Sequence, residues 1–142
     1  MKVDFYVLET QSSLPAWRYA CTLIETAHHN AQPVYVHTAS KEDAERIDTL
    51  LWTYRDDSFI PHALLDAQHE NPAPIQIGYG ETTPEQTTLL INLSRDIPTF
   101  YQQFNHIIEI VFSDPVVQQL ARDRFRQYRE AGCELNTHKI KN

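Results

Sequence analysis

Two stretches of the 142-residue sequence concentrate side chains suited to binding chemistry. In the last fifth, Arg122, Arg126 and Arg129 recur at steps of four and three, which stacks three guanidinium groups along one side of a helix. Gln118 and Phe125 project along the same edge, while Val117, Leu120, Ala121, Tyr128 and Ala131 fall on the side that faces the core. Arg124 lands on that core-facing side, where it must snorkel or pair with an acid. A solvated arginine face is the simpler reading of this row. Guanidinium nevertheless binds carboxylate through two parallel hydrogen bonds, so forks beside an aromatic ring suit a short acidic peptide with an apolar end. The second stretch joins Leu51-Trp52 to Ser58-Phe59-Ile60-Pro61-His62. A tryptophan at a helix end, then a polar loop and a Phe-Ile-Pro cluster, either caps a sheet edge or forms an aromatic docking patch.

Other reactive residue types are present without a matching pattern. The seven histidines (28, 29, 37, 62, 69, 106 and 138) show no HxxxH or HxH spacing, and the cysteines form no CxxC, so no metal is expected. Asp56-Asp57 and Glu42-Asp43 lie in solvated stretches where nothing would raise a carboxylate pKa. Ser12, Ser13, Ser40, Ser58, Ser94 and Ser113 lack a nucleophile context, and Cys21 sits on an apolar helix face as an inert thiol. Only Gly78, Gly80 and Gly132 occur, too few for a Walker loop, GxGxxG or GxSxG. The loop Glu9 to Pro15 holds no glycine that would let backbone amides approach a phosphate. A nucleotide-binding or hydrolytic enzyme therefore stays the alternative reading; no catalytic residue and no cofactor is expected.

The elements that must carry these residues follow from periodicity. Lys2 to Leu8, Pro33 to His37, Ile75 to Tyr79, Thr88 to Asn92 and His106 to Phe112 are short, β-branched or apolar runs that read as five strands. Ser12 or Ser13 opens a helix with Pro15 in its first turn, which ends near Asn30. Ser40 followed by Asp43 opens a second helix over residues 41–53. Residues 56–74 read as loop, and 96–105 as short helical turns around Phe100 and Phe104. Asp114, Pro115 and Gly132 bracket the final helix. Two β-α-β units in succession imply right-handed crossovers and a largely parallel sheet with helices on its faces. One α/β domain over residues 1–142 is the expectation.

Composition agrees with an ordinary globular chain, 42% hydrophobic and 22% charged. No apolar run reaches membrane-spanning length, the first residues show no signal-peptide architecture, and two distant cysteines suit a reduced, cytoplasmic setting. The formal charge of −7 argues against general nucleic-acid binding. It is unevenly placed: residues 1–113 hold 6 basic and 15 acidic side chains, and residues 114–142 hold 6 and 4. A locally cationic end on an anionic body is a statement about partners.

Taken in order, these residues resemble the chi-subunit family of the bacterial DNA polymerase III holoenzyme, which serves the clamp-loader complex. The likeness runs through Phe5-Tyr-Val-Leu8, Asp48-Thr-Leu-Leu-Trp52, Ser58-Phe-Ile-Pro-His62, Pro74-Ile-Gln-Ile77 and Leu89-Leu-Ile-Asn-Leu93. It continues through Gln119-Leu-Ala-Arg122, Tyr128-Arg129, Ala131-Gly132 and Leu135-Asn-Thr137. The resemblance implies a Rossmann-like α/β/α sandwich with no catalytic activity. It implies a bridge between a psi subunit, which joins the clamp loader, and the acidic, Phe-terminated tail of single-stranded-DNA-binding protein. Trp52, Phe59, Pro61 and His62 would form the psi-facing surface; Val111, Gln118, Arg122, Phe125 and Arg126 would form the tail site. Gln118 stands where a lysine is familiar, Phe125 where a tyrosine is, and Arg126 in place of a lysine, so one cation and one hydroxyl are lost and the ring is kept.

Overall fold

The computed structural model describes residues 1–54, 61–64, 74–80, 83–84 and 88–140. Strand β1 (Lys2–Leu8) leads through helix α1 (Ser13–His29) to β2 (Val34–Thr38), and helix α2 (Lys41–Thr53) follows. Next come β3 (His62–Leu64), β4 (Ile75–Tyr79), β5 (Leu89–Asn92), a 3-10 turn at Tyr101–Gln103 and β6 (His106–Val111). Helix α3 (Pro115–Glu130) and β7 (Glu134–Ile140) complete the chain. The strands form one sheet in the order β3-β4-β2-β5-β6-β1-β7, and every pairing in it is parallel.

The α/β class is as expected, but the sheet has seven strands rather than five. The two additions are β3, inside the stretch expected to be loop, and β7, after the last helix. Both lie at the rims of the sheet. β3 is three residues long, and β7 (ELNTHKI) holds no fully buried residue, so neither shows the apolar run of an interior strand. Short or charged rim strands are how sheets keep their edges from pairing with other chains. The interior strands differ sharply: all of β2 and β5 is buried, as a sheet covered on both faces requires.

Helices α1 and α2 pack Ala20, Ile24, Ala44, Ile47 and Leu51 against one face of the sheet, with Val36, Ile77 and Ile91 beneath. On the other face α3 and the segment around the 3-10 turn bury Ala121, Tyr128, Phe100 and Phe104 over Val3, Phe5, Tyr35 and Ile107. Gly78 is needed between β2 and β4, because a Cβ there would stand 2.3 Å from the Tyr35 hydroxyl. The helix starts follow their sequence signals. Asp114 accepts from the amides of Val116 and Val117 at 2.9 and 3.1 Å, with Pro115 at the first position. Ser40 accepts from Asp43 at 3.2 Å. Ser12 occupies the N-cap position of α1, yet its side chain makes no capping bond.

Candidate functional site

Helix α3 is locked to the sheet by a buried polar network. Glu109 on β6 is fully buried; its carboxylate accepts from Arg124 Nε at 3.0 Å, Tyr128 hydroxyl at 2.6 Å and Asn92 Nδ2 at 2.9 Å. Burial pushes the Glu109 pKa up, and Arg124, Tyr128 and Asn92 oppose that shift. Arg124 reaches on to the carbonyl of Arg95 at 2.8 Å. The arginine that the helical wheel set facing inward thus found its acid. With that side anchored, Arg122, Arg126 and Arg129 are turned to solvent. Among the described residues no acid lies within ion-pair distance of any of the three.

On the flank of α3 toward β1, a pocket of about 230 Å³ is lined by Phe5, Val7, Val111, Gln118, Ala121, Arg122, Phe125 and Thr137. Four of the five expected tail-site residues, Val111, Gln118, Arg122 and Phe125, meet here; Arg126 is exposed and off the lining. The Phe125 ring rests on Phe5 at 5.3 Å between centroids, and Phe5 meets the edge of Tyr128 at 6.0 Å. The floor is aromatic and aliphatic, with a guanidinium on the rim. Such a hollow can hold one apolar ring and grip a carboxylate beside it. Sequence reasoning missed Phe5, Val7 and Thr137. The alternation of β1 carries Phe5 and Val7 to the α3 face, a signal that was readable. Thr137 belongs to β7, which had no strand signal.

The Trp52 region lies at the other end of the sheet. Trp52 is 47% exposed, and its ring stands 4.3 Å from that of His62. His62 starts β3 with a buried side chain, its Nε2 3.1 Å from the Asp48 carbonyl and 3.3 Å from the Asp48 carboxylate. It therefore props Trp52 from within rather than facing outward. Pro61 is partly buried beside it, and Phe59 lies outside the described residues.

The remaining reactive groups are tied to structure. Burial pushes the Cys21 thiol up to about 12. Asp4 is buried between two imidazoles, with Nε2 of His106 at 2.5 Å and of His138 at 3.0 Å. Burial raises the Asp4 pKa, but the bonds from His138 and His106 and the charges of His106 and Lys2 outweigh it and leave it lowered. No group of three metal-ligating side chains occurs among the described residues, and no helix there is long and apolar enough to cross a membrane.

Comparison with known proteins decides the family. The family model of the DNA polymerase III chi subunit, HolC, matches residues 1–136. The chain belongs to that family. Its relatives include the DNA polymerase III subunit chi of Pseudomonas aeruginosa, 37% identical over 98% of this chain and 96% of the relative. That of Haemophilus influenzae is 32% identical over 96% of each chain, and that of Escherichia coli 26% over 94% of each. As a chi subunit it is an accessory subunit in replication and is not itself catalytic. Among solved structures, T4 UvsW shares the chi fold at a TM-score of 0.68 and 7% identity. That match spans 99% of this chain and 41% of the other, and it bears on fold alone.

Proposed function

We propose that this chi subunit is an adaptor in the cytoplasm that joins the clamp loader, through a psi subunit, to the acidic C-terminal tail of single-stranded-DNA-binding protein. The observation that carries the reading is the pocket under α3, where Val111, Gln118 and Phe125 surround a hollow of about 230 Å³, with the guanidinium of Arg122, which pairs with no acid among the described residues, on its rim. The terminal phenylalanine of the tail enters against Phe5 and Phe125. Arg122 takes its carboxylate, and Arg126, exposed one turn further along, draws the acidic residues that precede it. Gln118 contributes a neutral hydrogen bond in place of a charge. Trp52, exposed, together with Pro61 and Phe59 faces psi, with His62 bracing Trp52 from beneath.

Calorimetric titration with the tail peptide tests the pocket. Arg122→Ala weakens binding by about 1.5–3 kcal/mol, the loss typical of one charge-assisted contact. The affinity of the wild type falls as salt rises. Equal affinities for the wild type and Arg122→Ala would place the peptide elsewhere.

A further inference from the structure

Above the carboxyl ends of the strands, on the other flank of α3 from the peptide pocket, two hollows stand side by side. They arise from topology. β2 passes its chain to α2 on one face of the sheet, while its neighbour β5 passes its chain to the segment before the 3-10 turn on the other. Connections that diverge from adjacent parallel strands leave a crevice between them, the usual ligand position in open α/β sheets. The first hollow, about 280 Å³, sets Trp17, Leu93, Ile110, Phe112 and Leu120 beside the charged side chains of Asp43, Arg46 and Arg124. The second, about 440 Å³, sets His37, Ser94, Arg95, Asp96 and Thr99 beside Ala39, Ile97 and Pro98. Arg95 and Ser94 line both and form the join.

Two side chains on these walls have polar groups with no partner among the described residues. Arg95 is exposed, and no acid among the described residues pairs with it, although its backbone is pinned where its carbonyl accepts from Arg124 at 2.8 Å. The next carbonyl, that of Asp96, accepts from Asn92 Nδ2 at 3.2 Å and Ser94 Oγ at 2.6 Å, so the turn presents the guanidinium from a fixed base. His37 is 5% exposed; its Nδ1 lies 3.5 Å from the Tyr35 hydroxyl, and its Nε2 has no partner among the described residues. A buried ring nitrogen on a cavity wall is available to a hydrogen-bonding partner in the cavity. Burial lowers the His37 pKa to about 4, so the ring meets a ligand as a neutral hydrogen-bonding group. Arg46 pairs with Asp43 at 3.7 Å and Arg124 with Glu109 at 3.0 Å, while Asp96 has no cation within ion-pair distance among the described residues.

We propose that this crevice is a non-catalytic site for a nucleoside monophosphate, with the base against Trp17 in the first hollow and the phosphate between Arg95 and His37 in the second. Trp17 offers a flat ring in the first hollow, and Arg95 with His37 offers groups for an anion in the second, so a ligand with a flat end and an anionic end can span the join. One unpaired guanidinium beside the exposed carboxylate of Asp96 suits a single phosphate better than a triphosphate chain. Side chains hold the phosphate here, so the absence of a glycine-rich loop is no obstacle. The first turn of α1, which Ser12 leaves uncapped, opens on the same crevice at Ser13 and Ala16.

The full chain carrying Trp52→Phe keeps Trp17 as its one tryptophan, and titration with AMP, ATP and inorganic phosphate reads that site by fluorescence. Saturable quenching by AMP is expected, about tenfold tighter than phosphate, with ATP no tighter than AMP. Arg95→Ala weakens AMP about tenfold without moving the melting temperature and leaves the acidic-peptide affinity unchanged. Absence of saturation at millimolar AMP, or equal AMP affinity in Arg95→Ala, overturns the site. Phosphate binding as tightly as AMP removes the base from the assignment, and tighter ATP removes the monophosphate. The peptide site fails or stands separately, through Arg122→Ala.

Discussion

Phe125 and His37 show how much one residue can be asked to do at the two ends of the chain's chemistry. The Phe125 ring forms the pocket wall through its contact with Phe5, so Phe125→Ala empties that wall and lowers tail-peptide affinity by about 1–3 kcal/mol in the same calorimetric titration. Phe125→Tyr keeps the ring and is expected to bind as the wild type does. His37 is a buried imidazole whose pKa falls from 6.5 to about 4 because burial penalises its charged form. The unfolded chain takes up a proton below the ordinary value while the native chain resists it. Stability is therefore complete above that value and drains away as pH falls toward about 4. The total is on the order of 3 kcal/mol. Urea unfolding at stepped pH should show this slope in the wild type and a shallower one in His37→Phe, whose ring keeps the edge contact with Phe100.

At the level of elements, α3 depends on its inward side. Glu109→Gln leaves Arg124 buried without its counter-charge and is expected to cost about 3–5 kcal/mol, read as a fall in melting temperature. Replacing both residues with leucine recovers much of that loss, because no buried charge then stands alone. The pairing of β2 with β4 has its own constraint. Gly78→Ala drives a methyl group into the Tyr35 hydroxyl and costs about 1–3 kcal/mol. Adding Tyr35→Phe removes the nearest atom, the oxygen, and restores part of the loss. The ring carbons, 3.0 Å from the new Cβ, still crowd it.

Across the whole molecule, the two proposed interaction regions stand apart. Trp52 and His62 belong to the β3 rim, whereas the pocket lies between α3, β1 and β7 at the opposite rim. With strands about 4.8 Å apart, the five spacings from β3 to β1 separate them by roughly 24 Å. The helices also divide, α2 on one face and α3 on the other. Both surfaces can then be filled together. Trp52→Ala is expected to weaken capture of a psi subunit in a pull-down while tail-peptide affinity stays within experimental error. Coupled losses in both assays would contradict the separation.

Much of this was legible in the residues alone. The helix over residues 41–53, the bracketing of α3 by Asp114, Pro115 and Gly132, and the five interior strands follow from local forces: capping, proline and glycine geometry, and apolar periodicity. Arg124 could be assigned inward from a wheel, since helical geometry is set by sequence spacing. The partner of Arg124 could not, because Glu109 lies fifteen residues away on a strand and only packing brings them together. The β3 and β7 strands were hidden for the same reason, their pairing resting on a neighbour's open edge and not on their own composition. Phe5 and Thr137 joined Arg122 and Phe125 in one pocket through parallel register and helix docking, and the crevice at Arg95 exists because two chain connections diverge. Local chemistry wrote the elements, and non-local contact decided which side chains share a cavity.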